Sequence, residues 1–562
     1  MFKDKEKLRN IFVIILIIIM CGIIFFYQSK KIGFHEDEVY SIASSVNPYD
    51  GLMSPYGDKD TNTIICEKYI FNKNPFIEIK NAITFLFNRS DFNVEMDELY
   101  NAEVPIWKTR ETVKNYMTLS PDNYLNLKSI FYNQLKDNHP PLFYTLVHFS
   151  SIIFSGKFTK YSVFLVNLIA FILSCFVIKN ILKLLNKENL IIPILIFYGL
   201  SMGTISMVIY QRMYMLLTFF ILLYFYYSLK LYKSDFNLDH KLIIKLGFTT
   251  VLGFLTQYFF AIYAFLIFIF MIAKMFTQKK YSTIFKYVVF HILYAIIGIL
   301  LFVPCIEHLL FTDRGIKNLS NSDYFTHFMV YLKHLAYSFS IETTIPSILI
   351  VLGLFLFGTI YLLKNNKEKF ITLLTVIPSI IYFFIVVKLT SFQELRYIMP
   401  VIPFVCIALF FILDSLINIK FKNTILLIIS TLLVLNSILF SSPKFLYEDY
   451  KESLEIAESN KEKSFVYVYD NFFNHMQSIP EMMIYEKTLI INVNRNELQY
   501  VINNDDLNNE NSYILCIKSY MDNDKILDEI QNKTDFKNIT TLYKASNSSS
   551  EMISNNLYLI SK

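Results

Sequence analysis

Charge is scarce in this sequence. Asp, Glu, Lys and Arg make up 18% of its 562 residues, while 54% are apolar and 17% aromatic. So few charges beside such long apolar runs argue against a soluble enzyme and for an integral membrane protein. Cysteine is sparse as well. Cys21, Cys66, Cys175, Cys305, Cys406 and Cys516 are scattered, with no CxxC pair and no metal-ligand spacing. Neither a disulfide framework nor a zinc site is expected. No GxGxxG or P-loop pattern occurs, which removes the common nucleotide cradles, and no internal repeat is visible. The first apolar run, "IFVIILIIIMCGIIFF", exceeds a secretory core in length and leads into "YQSKKIG" without a small-x-small cleavage site. It reads as a retained anchor.

What the chain does have is runs long enough to span a membrane, for which about 20 apolar residues suffice. Beyond the anchor, candidates lie near 161–178, 190–209, 213–229, 242–256, 258–273, 284–304, 344–363, 370–387, 397–415 and 424–441, so that eleven spans are expected. With the N-terminus inside, the segments 1–10, 179–189, 230–245, 274–286, 364–369 and 419–422 carry 20 Lys and Arg. The short outer ends carry five: Lys157, Lys160, Arg212, Lys388 and Arg396. This asymmetry supports the count and the orientation. Pro141 to Ser155, at 15 residues, would reach only about 22 Å as a helix. Treating it as a span would put most lysines outside, so an outer juxtamembrane helix is expected, started by Pro140–Pro141.

The expected architecture is an all-α polytopic domain over 1–442, including an outer loop 28–158, followed by an extracytoplasmic α/β domain over 443–562. The tail is polar, with the strand-like runs "FVYVY", "TLIIN", "YILCI" and "NLYLI" and a helical "DNDKILDEI".

On this map the unusual polar residues share one face. Asp37 and Glu38, in "FHEDEVYS", follow the outer end of the first span. His139 begins the juxtamembrane segment. Arg212 and Tyr214, Gln257 and Tyr258, and Glu394, Arg396 and Tyr397 lie at outer span ends. Taken singly, each has a structural reading: acids commonly flank a first helix, and an arginine at a span end snorkels to headgroups. Together, carboxylates and cations at one bilayer–water boundary suit a phosphate-bearing lipid substrate, with a base for an acceptor and positive charge for a leaving phosphate.

The motifs "HPPLFYTLVH" (139–148), "YQRMYMLLTFF" (210–220), "TQYFFAIY" (256–263) and "RYIMPVIPF" (396–404), with the early "DE" at 37–38, resemble the membrane-embedded C-type glycosyltransferases of the GT-C fold. Within these, they resemble the family-39-like members related to protein O-mannosyltransferases and the lipid A aminoarabinose transferase. The resemblance covers about residues 10–440. It implies a sugar donor on a polyprenyl phosphate, an acceptor hydroxyl of the cell envelope, reaction outside the cytoplasmic membrane, and inversion at the anomeric carbon. It makes Asp37 the catalytic base and Glu38 its companion, orienting base or acceptor. His139 falls at the donor end of the pocket, where some relatives carry lysine. Arg212 and Arg396 become candidates for stabilising the leaving phosphate, with Tyr214, Gln257, Tyr258 and Tyr397 as substrate contacts. "QRMY" and "TQYF" depart from the usual family patterns, so fine substrate contacts are expected to differ. Some C-type enzymes use a divalent metal; here Glu36, Asp37 and Glu38 diverge from one short segment and make a poor cage, so no obligatory cofactor is expected. The competing readings are a lipid-linked substrate transporter or flippase, a polysaccharide polymerase or ligase, and a non-catalytic sensor. A transporter would place its polar groups near the midplane on broken helices.

Overall fold

The computed structural model describes residues 2–48, 53–54, 61–88, 104–135, 137–310, 324–365, 369–390, 392–470, 472–545 and 555–562. These pack into two compact units. The first comprises Met1–Ser29, Asp137–Phe143 and Phe164–Lys444; the second comprises Lys30–Lys136, Tyr144–Val163 and Phe445–Lys562.

The chain is a multi-pass membrane protein. Among the described residues, nine helices are long and apolar enough to cross a bilayer, from Glu6–Lys30 to Lys422–Phe440. A tenth candidate is the pair Glu188–Leu200 and Met202–Ile209, bent by 58°. The break has a local cause. Ser201 is extended, and its Oγ accepts from the Thr204 amide, starting a new helix. Gly203 admits a close neighbour there, since a Cβ would lie 2.5 Å from the Ser338 Cβ. The eleventh expected span, 242–256, forms a helix His240–Thr256 of 17 residues, about 26 Å long and at the short end of the range for a membrane crossing. "PLFYTLVHFSSIIFS" gives an 11-residue helix, Leu142–Ile152, too short to span. Several spans turn apolar side chains outward, such as Phe285, Ile292 and Leu300 on Tyr281–Leu301, as contact with hydrocarbon requires.

The second unit is built on a six-stranded mixed sheet: β1 (Lys108–Thr109), β2 (Ser464–Tyr469), β3 (Lys487–Asn492), β4 (Ser512–Lys518), β5 (Asn538–Tyr543) and β6 (Asn555–Ser561), in the order β1-β3-β2-β4-β6-β5. The strands β3, β2 and β4 are parallel and the other pairings antiparallel. All of β2 is buried, which accounts for its unbroken apolar run. Val466, Val468, Leu489, Ile491, Leu515 and Ile517 pack against Ile526 and Ile530 of the helix Asn523–Lys533. The four strand-like runs of the sequence are β2, β3, β4 and β6. β1, from well before residue 443 in the chain, joins this sheet by pairing with β3. Arg110, next to β1, donates from Nε to the Tyr485 carbonyl at 3.1 Å.

Candidate functional site

In the second unit, Glu36–Val46 is a helix whose N-cap is His35. The Asp37 amide donates to His35 Nδ1 at 3.1 Å, and the His35 amide donates to Glu38 Oε2 at 2.8 Å. This is a capping box with imidazole in place of the usual hydroxyl. Three carboxylates in the first turn face the positive end of the helix dipole. An Nδ1 that accepts carries no proton, so its 3.6 Å approach to Asp37 Oδ2 is a contact rather than an ion pair.

The two acids differ sharply. Glu38 is fully buried and receives Lys31 Nζ at 3.0 Å, with both side chains at 0% exposure. Asp37 is 24% exposed. Lys31 also donates to the Phe445 carbonyl and lies over the Tyr447 ring, 4.8 Å from its centroid. The Ile32 amide donates to the Leu446 carbonyl. Gly33 permits this approach, since a Cβ would come 2.9 Å from the Tyr447 Cβ. Burial pushes the Lys31 ammonium below its usual range, and the Glu38 carboxylate opposes that shift. Burial likewise pushes Lys518 of β4 down, with Glu36 among the carboxylates that act against it. The acid-bearing helix and the C-terminal sheet therefore share one electrostatic environment.

In the first unit the expected cations form a second cluster. Arg212 is 2% exposed, and its NH2 group lies against the His139 imidazole, 3.3 Å from Nε2 and 3.5 Å from Nδ1. His139 Nδ1 lies 2.9 Å from Asp137 Oδ2 and 3.0 Å from Oδ1. The Asn167 amide ties the carbonyls of Val208, Tyr210 and Arg212, fixing the non-helical turn that carries Arg212. Arg396 is also buried. It donates to the Tyr210 hydroxyl at 2.5 Å and the Tyr397 hydroxyl at 3.4 Å. Its guanidinium lies 5.1 Å from the Tyr397 ring centroid. Tyr214 stacks with Tyr210 and meets Tyr397 edge-on.

The structure thus brings His139 to Arg212, Arg396 to Tyr397, and Tyr214 to Tyr397. Tyr258 contributes through its neighbour, Phe259, which packs on Tyr397, while its own hydroxyl bonds His308 Nδ1 at 2.9 Å. Among the described residues no hydrogen bond joins the Gln257 side chain to either arginine. Sequence reasoning missed Lys31, Asp137, Asn167 and Tyr210. Asp137 and Tyr210 stand two residues from expected site residues, the one available signal. Among the described residues, no group of three or more His, Cys, Asp and Glu side chains forms a metal cage. A buried guanidinium edged by tyrosine hydroxyls, as at Arg396, suits a phosphate oxyanion.

No family model matches this sequence, and no curated protein matches it. Among solved structures, the chain is similar to ArnT from Cupriavidus metallidurans, solved bound to undecaprenyl phosphate. The match has 10% sequence identity and a TM-score of 0.45, covering 75% of this chain and 88% of that one.

Proposed function

We propose that this protein is an inverting glycosyltransferase that moves a sugar from a polyprenyl-phosphate donor to an extracytoplasmic hydroxyl acceptor of the cell envelope. The observation that carries the reading is the inequivalence of the adjacent acids: Glu38 is committed to a buried ion pair, whereas Asp37 is partly exposed. In the proposed step the acceptor oxygen attacks the anomeric carbon and forms the new C–O bond. Asp37 takes the hydroxyl proton. The bond from the anomeric carbon to the phosphate oxygen breaks, and its electron pair leaves with the prenyl phosphate, whose charge Arg212 and Arg396 offset. His139, Tyr214 and Tyr397 complete the phosphate environment, and Gln257 and Tyr258 are assigned to the sugar. The N-terminus is cytoplasmic and the C-terminal domain extracytoplasmic in this reading, supported by the lysine and arginine distribution. The reaction requires no nucleotide and no obligatory metal. A bent helix pair such as Glu188–Ile209 is also a transporter feature, so the test must separate chemistry from transport. Purified protein in liposomes is incubated with a panel of polyprenyl-phosphate-linked sugars. Release of prenyl phosphate supports the transferase. Movement of intact donor between leaflets without release supports the transporter instead.

A further inference from the structure

We propose that Asp137 is a positioning residue for the anion site: its carboxylate holds the His139 imidazole in the orientation that packs it against the Arg212 guanidinium. This rests on the reading of Arg212 as a phosphate contact. The ring is held from two sides. Arg212 NH2 lies 3.3 Å from His139 Nε2 and 3.5 Å from Nδ1, so the guanidinium rests against both ring nitrogens. The ionised Asp137 carboxylate is an acceptor only, so Nδ1, at 2.9 Å and 3.0 Å from its oxygens, must donate.

The local chain keeps this arrangement stiff. The Asn138 amide donates to Asp137 Oδ1 at 2.7 Å, locking the carboxylate over its own backbone. Pro140 restricts the conformation of His139, the residue before it. On the other side Asn167 fixes the backbone of Arg212.

A plain charge effect and a positioning effect have opposite signs here, and that makes the inference testable. Asp137 carries negative charge beside an anion site, so removing it should tighten phosphate binding if charge alone matters. If Asp137 aims the site through His139, removing it should weaken binding. The experiment measures retention of polyprenyl phosphate by the full-length protein in nanodiscs, with melting temperature monitored in parallel. Asp137→Asn is expected to weaken binding roughly tenfold, about one charge-assisted hydrogen bond. Asp137→Glu, which keeps the charge and displaces the carboxylate, is expected to weaken it too. In a His139→Phe background, Asp137→Asn is expected to add nothing. Tighter binding by Asp137→Asn, wild-type binding by Asp137→Glu, or an undiminished effect without His139 would each overturn the inference. If the wild-type protein retains no polyprenyl phosphate, the donor reading falls, and this inference with it.

Discussion

Lys31 and Glu38 form a fully buried ion pair, Nζ to Oε2 at 3.0 Å, beside the partly exposed Asp37. The pair divides two neighbouring acids into different tasks. Glu38 closes the capping box of its helix and compensates a lysine held among Phe34, Tyr447 and the Phe445 carbonyl. Asp37, one residue away, is left at the surface of the same helix turn.

Breaking that pair from one side should cost far more than removing it whole. Glu38→Gln leaves a buried ammonium with only neutral partners, a loss of about 3–5 kcal/mol. The double substitution Lys31→Met with Glu38→Gln should recover much of this, because no uncompensated charge remains. Melting temperatures of the two variants in detergent check it; equal losses would show that Glu38 acts through its cap alone.

The C-terminal domain should lose stability as pH rises through neutrality. Glu481 is fully buried, and burial pushes its carboxyl from 4.5 up to about 7, against hydrogen bonds from Ser453 and Tyr450. The folded state keeps a proton that the unfolded chain releases above 4.5. The resulting stability is complete below that pH and is lost by about pH 7. Glu481→Gln should remove the slope, leaving the variant more stable than wild type by about 3 kcal/mol at pH 8 and nearly equal to it at pH 4. The single tryptophan of the chain, Trp107, packs against this domain's core, so its fluorescence reports unfolding of this unit directly.

Arg396 should not be replaceable by lysine. Two of its N–H groups reach different hydroxyls, Tyr210 and Tyr397, and one ammonium cannot reproduce that planar fork. Arg396→Lys is expected to raise the donor KM about tenfold, with a smaller rise for Tyr210→Phe. Steady-state kinetics on the donor check this; an unchanged KM in Arg396→Lys would remove Arg396 from donor binding.

Much of this fold was legible because hydrocarbon and sheet interiors write long apolar runs. The nine long helices fall on expected spans, and β2, β3, β4 and β6 fall on the quoted strand-like runs. The bend at Ser201 was hidden, since Ser within an apolar run leaves hydropathy almost unchanged. So was β1, whose two residues carry no periodicity. At the site, motif order pointed to Arg212, His139, Arg396 and Asp37. It was silent on what holds them. A lone lysine after a span, Lys31, reads as an interfacial anchor until its burial with Glu38 is seen. A histidine N-cap escapes any search for Ser, Thr, Asp or Asn. The Asp137–His139 pairing depends on side-chain direction, which spacing alone does not give.

Donor consumption by wild type and by Asp37→Asn, in liposomes containing polyprenyl-phosphate-linked sugars, is the decisive measurement. Melting temperature shows that both are folded. If Asp37 is the base, the wild type releases prenyl phosphate and transfers sugar, while the folded variant loses at least about a hundredfold in rate. Equal rates would contradict the proposed mechanism and return Asp37 to a structural role at the head of its helix.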